Sequence, residues 1–218
     1  MPPTVVTLDW SAGESVVREE IERHETSNHA NEPDCSYRII GAVREDYLLM
    51  RLHGLARVWL DTLLGDFAFA LLNGPEVRVT GDAGNALGEG MIAGSLRVNG
   101  NSGHALGLSM RGGTLALYGH TGNDCGRFMD GGEIFVRGNA GWGVGAGAIS
   151  GAIMVAGDAG PGLGDQMLDA SIYVRGTVKS LGRGVVESPV NQKDRLRLGL
   201  LMINAGIRGE ARDFRRYV

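Results

Sequence analysis

A glycine-marked repeat of 19 residues in the second half of the chain constrains its fold more than any other feature. From Val77 the sequence reads VRVTGDAGNALGEGMIAGS, LRVNGNSGHALGLSMRGGT, LALYGHTGNDCGRFMDGGE, IFVRGNAGWGVGAGAISGA, IMVAGDAGPGLGDQMLDAS and IYVRGTVKSLGRGVVESPV. Three glycine columns keep that period: Gly81, Gly100, Gly119, Gly138, Gly157 and Gly176; Gly84, Gly103, Gly122, Gly141 and Gly160; and Gly88, Gly107, Gly126, Gly145 and Gly164. A fixed period of roughly 20 residues marks a solenoid, in which each repeat is one structural unit that buries its apolar face only by stacking on its neighbours.

Each row opens with alternating residues. Val77/Val79, Leu96/Val98, Leu115/Leu117, Ile134/Val136, Ile153/Val155 and Ile172/Val174 fill the same two slots, so they share one face of a short strand. Rows in register set these strands above one another in parallel, at roughly 4.8 Å per coil. The glycines follow where the chain turns with positive φ or passes close to the adjacent coil. A further column holds Met91, Met110, Met129 and Met167, with Ala148 as the exception. Two or three short strands per coil, joined by glycine corners, predict a mainly β chain: a right-handed parallel β-helix of six or seven coils. A calcium-binding nonapeptide roll needs Asp in every repeat, and the residues after the first glycine column are Asp82, Asn101, His120, Asn139, Asp158 and Thr177. A left-handed hexapeptide helix needs an 18-residue coil, which 19 does not supply.

Rows of the form x-V-x-G-(N/D)-A-G-x-x-x-G-x-x-M-x-G-G resemble the GXGXG domain found at the C-terminal end of the glutamate synthase large subunit. The same domain forms free-standing subunits of glutamate-synthase-like complexes of the N-methylglutamate synthase type. It also forms one of the subunits of formylmethanofuran dehydrogenase and of the bacterial formyltransferase/hydrolase complex. The segment from Gly162 to Gly182 and the closing Asp213–Tyr217 are similar to the amidotransferase-type members.

The rest of the chain divides into residues 1–57, a small α/β N-terminal segment; 58–190, the β-helix; and 191–218, a helix and tail. Ser11 and Glu14 fit a capping box opening a helix to about His24, with Val16, Val17 and Ile21 as its apolar stripe. Ser36–Val43 and Tyr47–Leu52 read as strands. Residues 58–73 fit either a worn coil, since Gly65 lies 19 before Gly84, or a short apolar helix. Residues 191–205 predict a helix with Leu196, Leu200 and Ile203 on its apolar face and Gly206 as C-cap, placed to cap the last coil.

Composition excludes several classes. A formal net charge of −4 argues against general nucleic-acid binding. No run of about 18 apolar residues is present, and the N-terminus lacks a basic region before an apolar core, so neither a membrane span nor a signal peptide is expected. Cys35 and Cys125 do not make a disulfide framework. The expected location is cytoplasmic.

Chemistry-bearing constellations are missing. His24, His29, His53, His104 and His120 have no partner at ligand spacing, so no metal site is expected. Gly143, Gly145 and Gly147 belong to repeat columns, not to the strand–turn–helix that a dinucleotide fingerprint requires. Cys125 shares a column with Leu87, Leu106, Val144 and Leu163, which makes it a small core residue. The resemblance implies a non-catalytic subunit that positions a glutamine amidotransferase partner and a flavin-dependent synthase partner for ammonia transfer. Flavin and iron–sulfur groups are then expected only in a partner, and no cofactor in this chain. The alternatives are the equivalent subunit of a formyltransferase/hydrolase or formylmethanofuran dehydrogenase-type complex, and a scaffold for other enzymes. Trp142, which breaks the pattern set by Asn85, His104, Asn123 and Pro161, is a candidate interface residue, as are Phe214 and Tyr217 in the arginine-rich tail.

Overall fold

The computed structural model describes residues 5–26, 36–41, 44–204 and 209–218. Its frame is one continuous sheet whose first nine strands are parallel. β1 (Val5–Asp9) is followed by a 3-10 turn at Trp10–Ala12 and α1 (Glu14–Thr26). Then come β2 (Ser36–Ile40), β3 (Arg57–Asp61), β4 (Asn73–Thr80), β5 (Ala93–Asn99), β6 (Thr114–Leu117), β7 (Asp130–Val136), β8 (Ser150–Val155) and β9 (Ser171–Val174). After them lie β10 (Glu187–Ser188), α2 (Gln192–Asn204) and β11 (Arg215–Tyr217). The sheet order is β1 through β9 in sequence, then β11, then β10.

The register is the one the repeat requires. Val77 pairs with Leu96, Leu96 with Leu115, Leu115 with Ile134, Ile134 with Ile153 and Ile153 with Ile172. This is a parallel β-helix. Residues 58–73 are a coil of it: Val58 and Leu60 pair with Val77 and Val79. The sheet continues without a break into β2, where Tyr37 pairs with Val58, and into β1, where Val6 pairs with Tyr37. Each coil has one true strand. Its second side shrinks to single bridges stacked from Ala83 through Ser102, Thr121, Ala140 and Ala159 to Val178.

The interior is a set of stacked apolar columns. Leu96, Val98, Leu106, Met110, Leu115, Leu117, Cys125, Met129, Ile134 and Val136 are all fully buried. At the first end α1 seals the core with Val17 and Ile21, while Val16 of the expected stripe is 52 % exposed. The capping box does not form. Glu14 instead accepts from the Leu49 amide at 3.1 Å and from Arg18 at 2.9 Å, tying α1 to the first corner. Val43 of the expected strand lies outside the described residues.

At the other end the helix lies elsewhere than expected. α2 lies on the outer face of β6–β9, where Leu198, Leu201, Met202 and Phe214 cluster with Ala116, Phe135, Met154 and Tyr173. The edge of β9 is covered by β11, paired antiparallel with Tyr217 opposite Ile172, and β10 covers β11. The buried side of α2 is also the reverse of the predicted one: Leu196, Leu200 and Ile203 face solvent. Polar anchors decide the orientation. The Tyr173 hydroxyl donates to Asp194 at 2.8 Å, Arg197 pairs with Glu133 at 3.1 Å, and Arg216 pairs with Asp194 at 3.3 Å. Asn191 and Asp194 cap the first turn reciprocally, each amide donating to the other's side chain at 2.9 Å.

Candidate functional site

The three glycine columns do two different jobs. In the third column Gly88, Gly107, Gly126, Gly145 and Gly164 hold φ between 63 and 69°. They sit at the centre of a corner in which alternate residues are left-handed. Ala105, Gly107 and Ser109 are one such triplet; Asp124, Gly126 and Phe128 the next; Gly143, Gly145 and Gly147 the third. The same corner at Tyr47, Leu49 and Arg51 replaces the strand expected there, and Phe67, Phe69 and Leu71 repeat it. Successive corners bond in both directions: the Ala105 amide donates forward to Asn123 O at 2.8 Å, and Gly107 donates back to Leu87 O at 2.9 Å.

The first two columns need glycine for space. Gly100, Gly119, Gly138, Gly157 and Gly176 are not left-handed, and neither are Gly84, Gly103, Gly122, Gly141 and Gly160; Gly81 is the exception, at φ 142°. Of the two reasons expected for these glycines, close approach to the adjacent coil, and not positive φ, applies at Gly119 and Gly138. A Cβ on Gly138 would stand 2.6 Å from Gly119 O and 2.8 Å from His120 Nδ1, so backbone proximity excludes a side chain.

Two polar ladders run beside these columns. In one, the Asn101 amide donates to Asp82, His120 to Asn101, Asn139 to His120 Nδ1, Asp158 to Asn139 and Thr177 to Asp158, at 2.7–3.0 Å. In the other, Asn85 donates to Asp66, His104 to Asn85, Asn123 to His104 Nδ1 and Trp142 to Asn123. Both histidines are thus structural rungs whose Nδ1 accepts a hydrogen bond. The sequence signal was present, since every residue from Asp82 to Thr177 in that column has a short side-chain acceptor.

Three carboxylates on this side are held below the usual range. The Thr177 amide lowers Asp158, the Asn85 amide lowers Asp66, and the Arg183 side chain brings Asp165 to about 2. Their folded pKa values lie below the unfolded ones, so their contribution is present above about pH 4 and is lost as pH falls through the folded values. The melting temperature should therefore drop between about pH 4 and pH 2. Asp158→Asn, which keeps the acceptor without the charge, should flatten that drop by lowering neutral stability toward the acid value. An acid limb of identical slope in the variant would disprove the linkage.

Trp142 is 47 % exposed and borders a shallow groove of about 370 Å³ at the left-handed corner. Arg127, Ala146, Asp165, Leu181 and Arg183 complete it. Both arginines are engaged: Arg127 pairs with Asp124 at 3.0 Å and lies 4.8 Å over the Phe128 ring, and Arg183 pairs with Asp165 at 3.1 Å. The other two aromatic candidates are corrected. Phe214 and Tyr217 are 3 and 2 % exposed, Phe214 in the cluster under α2 and Tyr217 in the β-helix interior, so both anchor the tail to its own chain.

Cys125 is fully buried and its thiol is pushed up to about 12 by that burial, which leaves it protonated and unreactive. Cys35 and His29 lie outside the described residues. Among the described residues no three His, Cys, Asp or Glu are gathered as metal ligands, and no helix is long and apolar enough to cross a membrane. The arrangement is suited to presenting surfaces: a rod with a fixed pitch, a locked corner and an exposed aromatic beside it. Set against the known protein families the chain matches none, and no curated protein matches it.

Proposed function

We propose that this chain is a non-catalytic structural subunit of a glutamate-synthase-like complex. In this reading it holds a glutamine amidotransferase partner and a flavin-dependent synthase partner in the geometry that ammonia transfer needs. The observation that carries the reading is the left-handed triplet, which in one coil is spelled Gly143-Val144-Gly145-Ala146-Gly147 and recurs at every corner from Tyr47 to Gln166. That is the GXGXG pattern, and here it is a structural device. Flavin and iron–sulfur groups belong to the partners. A formyltransferase/hydrolase-type complex or another enzyme scaffold would use the same rod, and its partners would tell them apart.

The test is the identity of stoichiometric partners of the tagged chain purified from its native cells. A partner with an N-terminal cysteine, together with one carrying a cysteine cluster and flavin, is the expected result. A partner with an amidohydrolase-type metal site would replace this reading with the formyl-transferring one. Trp142→Ala should cut partner recovery several-fold without changing the melting temperature, because half of the side chain is in solvent. Full recovery would remove the groove from the assembly.

A further inference from the structure

α2 turns to solvent a row of large apolar side chains that its own fold does not use. Leu196, Leu200 and Ile203 are 67, 62 and 75 % exposed, and their spacing of four and three residues puts them on one stripe. The helix carrying them is firmly held. Leu198, Leu201 and Met202 are buried beneath it, and the Asp194 and Arg197 contacts fix its rotation. The row is therefore presented in one orientation. An apolar stripe on a helix so anchored is the form that a recognition face takes.

Charge identifies the kind of surface that covers it. Residues 191–218, which carry α2 and the tail, hold seven of the 21 Lys and Arg in the chain and only three of the 25 Asp and Glu. The preceding 190 residues hold the other 14 cations and 22 acids. Lys193 and Arg195 stand on α2 itself, and Arg212, Arg215 and Arg216 follow it. Pairing of Arg197 with Glu133, Arg212 with Glu210 and Arg216 with Asp194 leaves the local excess positive. A second copy of this face is repelled, and an acidic surface is drawn in.

We propose that the outward face of α2 docks a partner protein presenting an apolar groove rimmed by Asp and Glu. The proposal rests on the scaffold reading above and adds a second docking surface to it. α2 covers the outer side of the sheet, whereas the Trp142 groove lies at the left-handed corner, so the two surfaces are separate.

The experiment places a photo-crosslinking residue at position 200 of the tagged full-length chain in its native cells, alongside a Leu200→Glu/Ile203→Glu variant. A covalent adduct mapped to a carboxylate-flanked apolar segment of one stoichiometric partner is expected. The double variant should lose at least tenfold of that partner and keep the melting temperature of the wild type. Should it melt lower, Leu200→Ser is the milder variant on which the same loss is read. Undiminished recovery of every partner, an adduct with a second copy of this chain, or an adduct on a surface without carboxylates would overturn the docking site while leaving the scaffold reading intact. A wild-type chain with no stoichiometric partner would overturn both.

Discussion

Gly107→Val should destabilise the protein by about 2–6 kcal/mol and lower its melting temperature by many degrees, a large effect for one side chain. Gly107 sits at φ 63°, where a β-branched residue is strained by about 1–3 kcal/mol. A Cβ there would also stand 2.6 Å from Ile134 Cδ1, in a column with no free space, and such overpacking costs about 1–3 kcal/mol more. Together the two sum to about 2–6 kcal/mol, a large fraction of the total stability of a domain, about 5–15 kcal/mol. The steric half can be separated. Gly107→Ala alone should lower the midpoint of chemical unfolding markedly. Adding Ile134→Val, which removes that Cδ1 methyl, should recover part of the loss. Simple additivity of the two changes would mean that glycine is kept there for its backbone alone. Gly138→Ala is a useful contrast, because its nearest obstacle is the backbone of Gly119, which trimming the His120 side chain would not relieve.

Removal of residues 207–218 should leave an aggregating protein in place of a folded rod lacking only a docking tail. Tyr217 is 2 % exposed inside the β-helix, and truncating a buried aromatic side chain costs about 3–5 kcal/mol. The deletion also strips β11 from β9, exposing the unpaired edge of a long parallel sheet, which is a template for further strand addition. Tyr217→Ala should therefore lower the melting temperature by many degrees, and the truncation should be recovered mainly in the insoluble fraction. Tyr217→Phe keeps the ring and should be close to neutral. A soluble truncated chain with an unchanged melting temperature would show that the β9 edge needs no cover.

The parallel β-helix was legible because its signal is repeated. Strand slots, interior columns and glycine columns each recur at 19 residues, and one misplaced residue is outvoted by its equivalents. The same signal faded where a side chain stood in for glycine. Phe69 and Leu49 occupy the left-handed centre of the first two corners at φ 53 and 47°, and Leu49 lies 20 residues before Phe69 where the later spacing is 19. The coil at residues 58–73 was therefore visible only as one of two readings, and the corner at Tyr47 read as a strand. For α2 the apolar periodicity is ambiguous, since Leu198, Leu201 and Met202 form one stripe and Leu196, Leu200 and Ile203 another. Asp194 and Arg197 settle the choice through Tyr173 and Glu133, contacts far away in sequence. Phe214 and Tyr217 misled for the same reason: the arginines around them suggest a surface, and only the pairing of β11 with β9 reveals an interior.

The side-chain ladders make the rod a ruler with discrete graduations. Each rung offers an acceptor to the amide 19 residues on, and Asp, Asn and His perform this task interchangeably at Asp82, Asn101 and His120. Excising residues 115–133 would bring Asn101 against Asn139, a rung of the same kind, and would rejoin every interior column. Excising one residue fewer would set each strand one position out and turn its apolar face outward. Length in this fold thus changes only in whole steps of roughly 4.8 Å. Whatever is held toward one end of the rod is spaced from whatever is held toward the other by a whole number of coils, so the distance is inherited through repeat number and not through the stiffness of any linker.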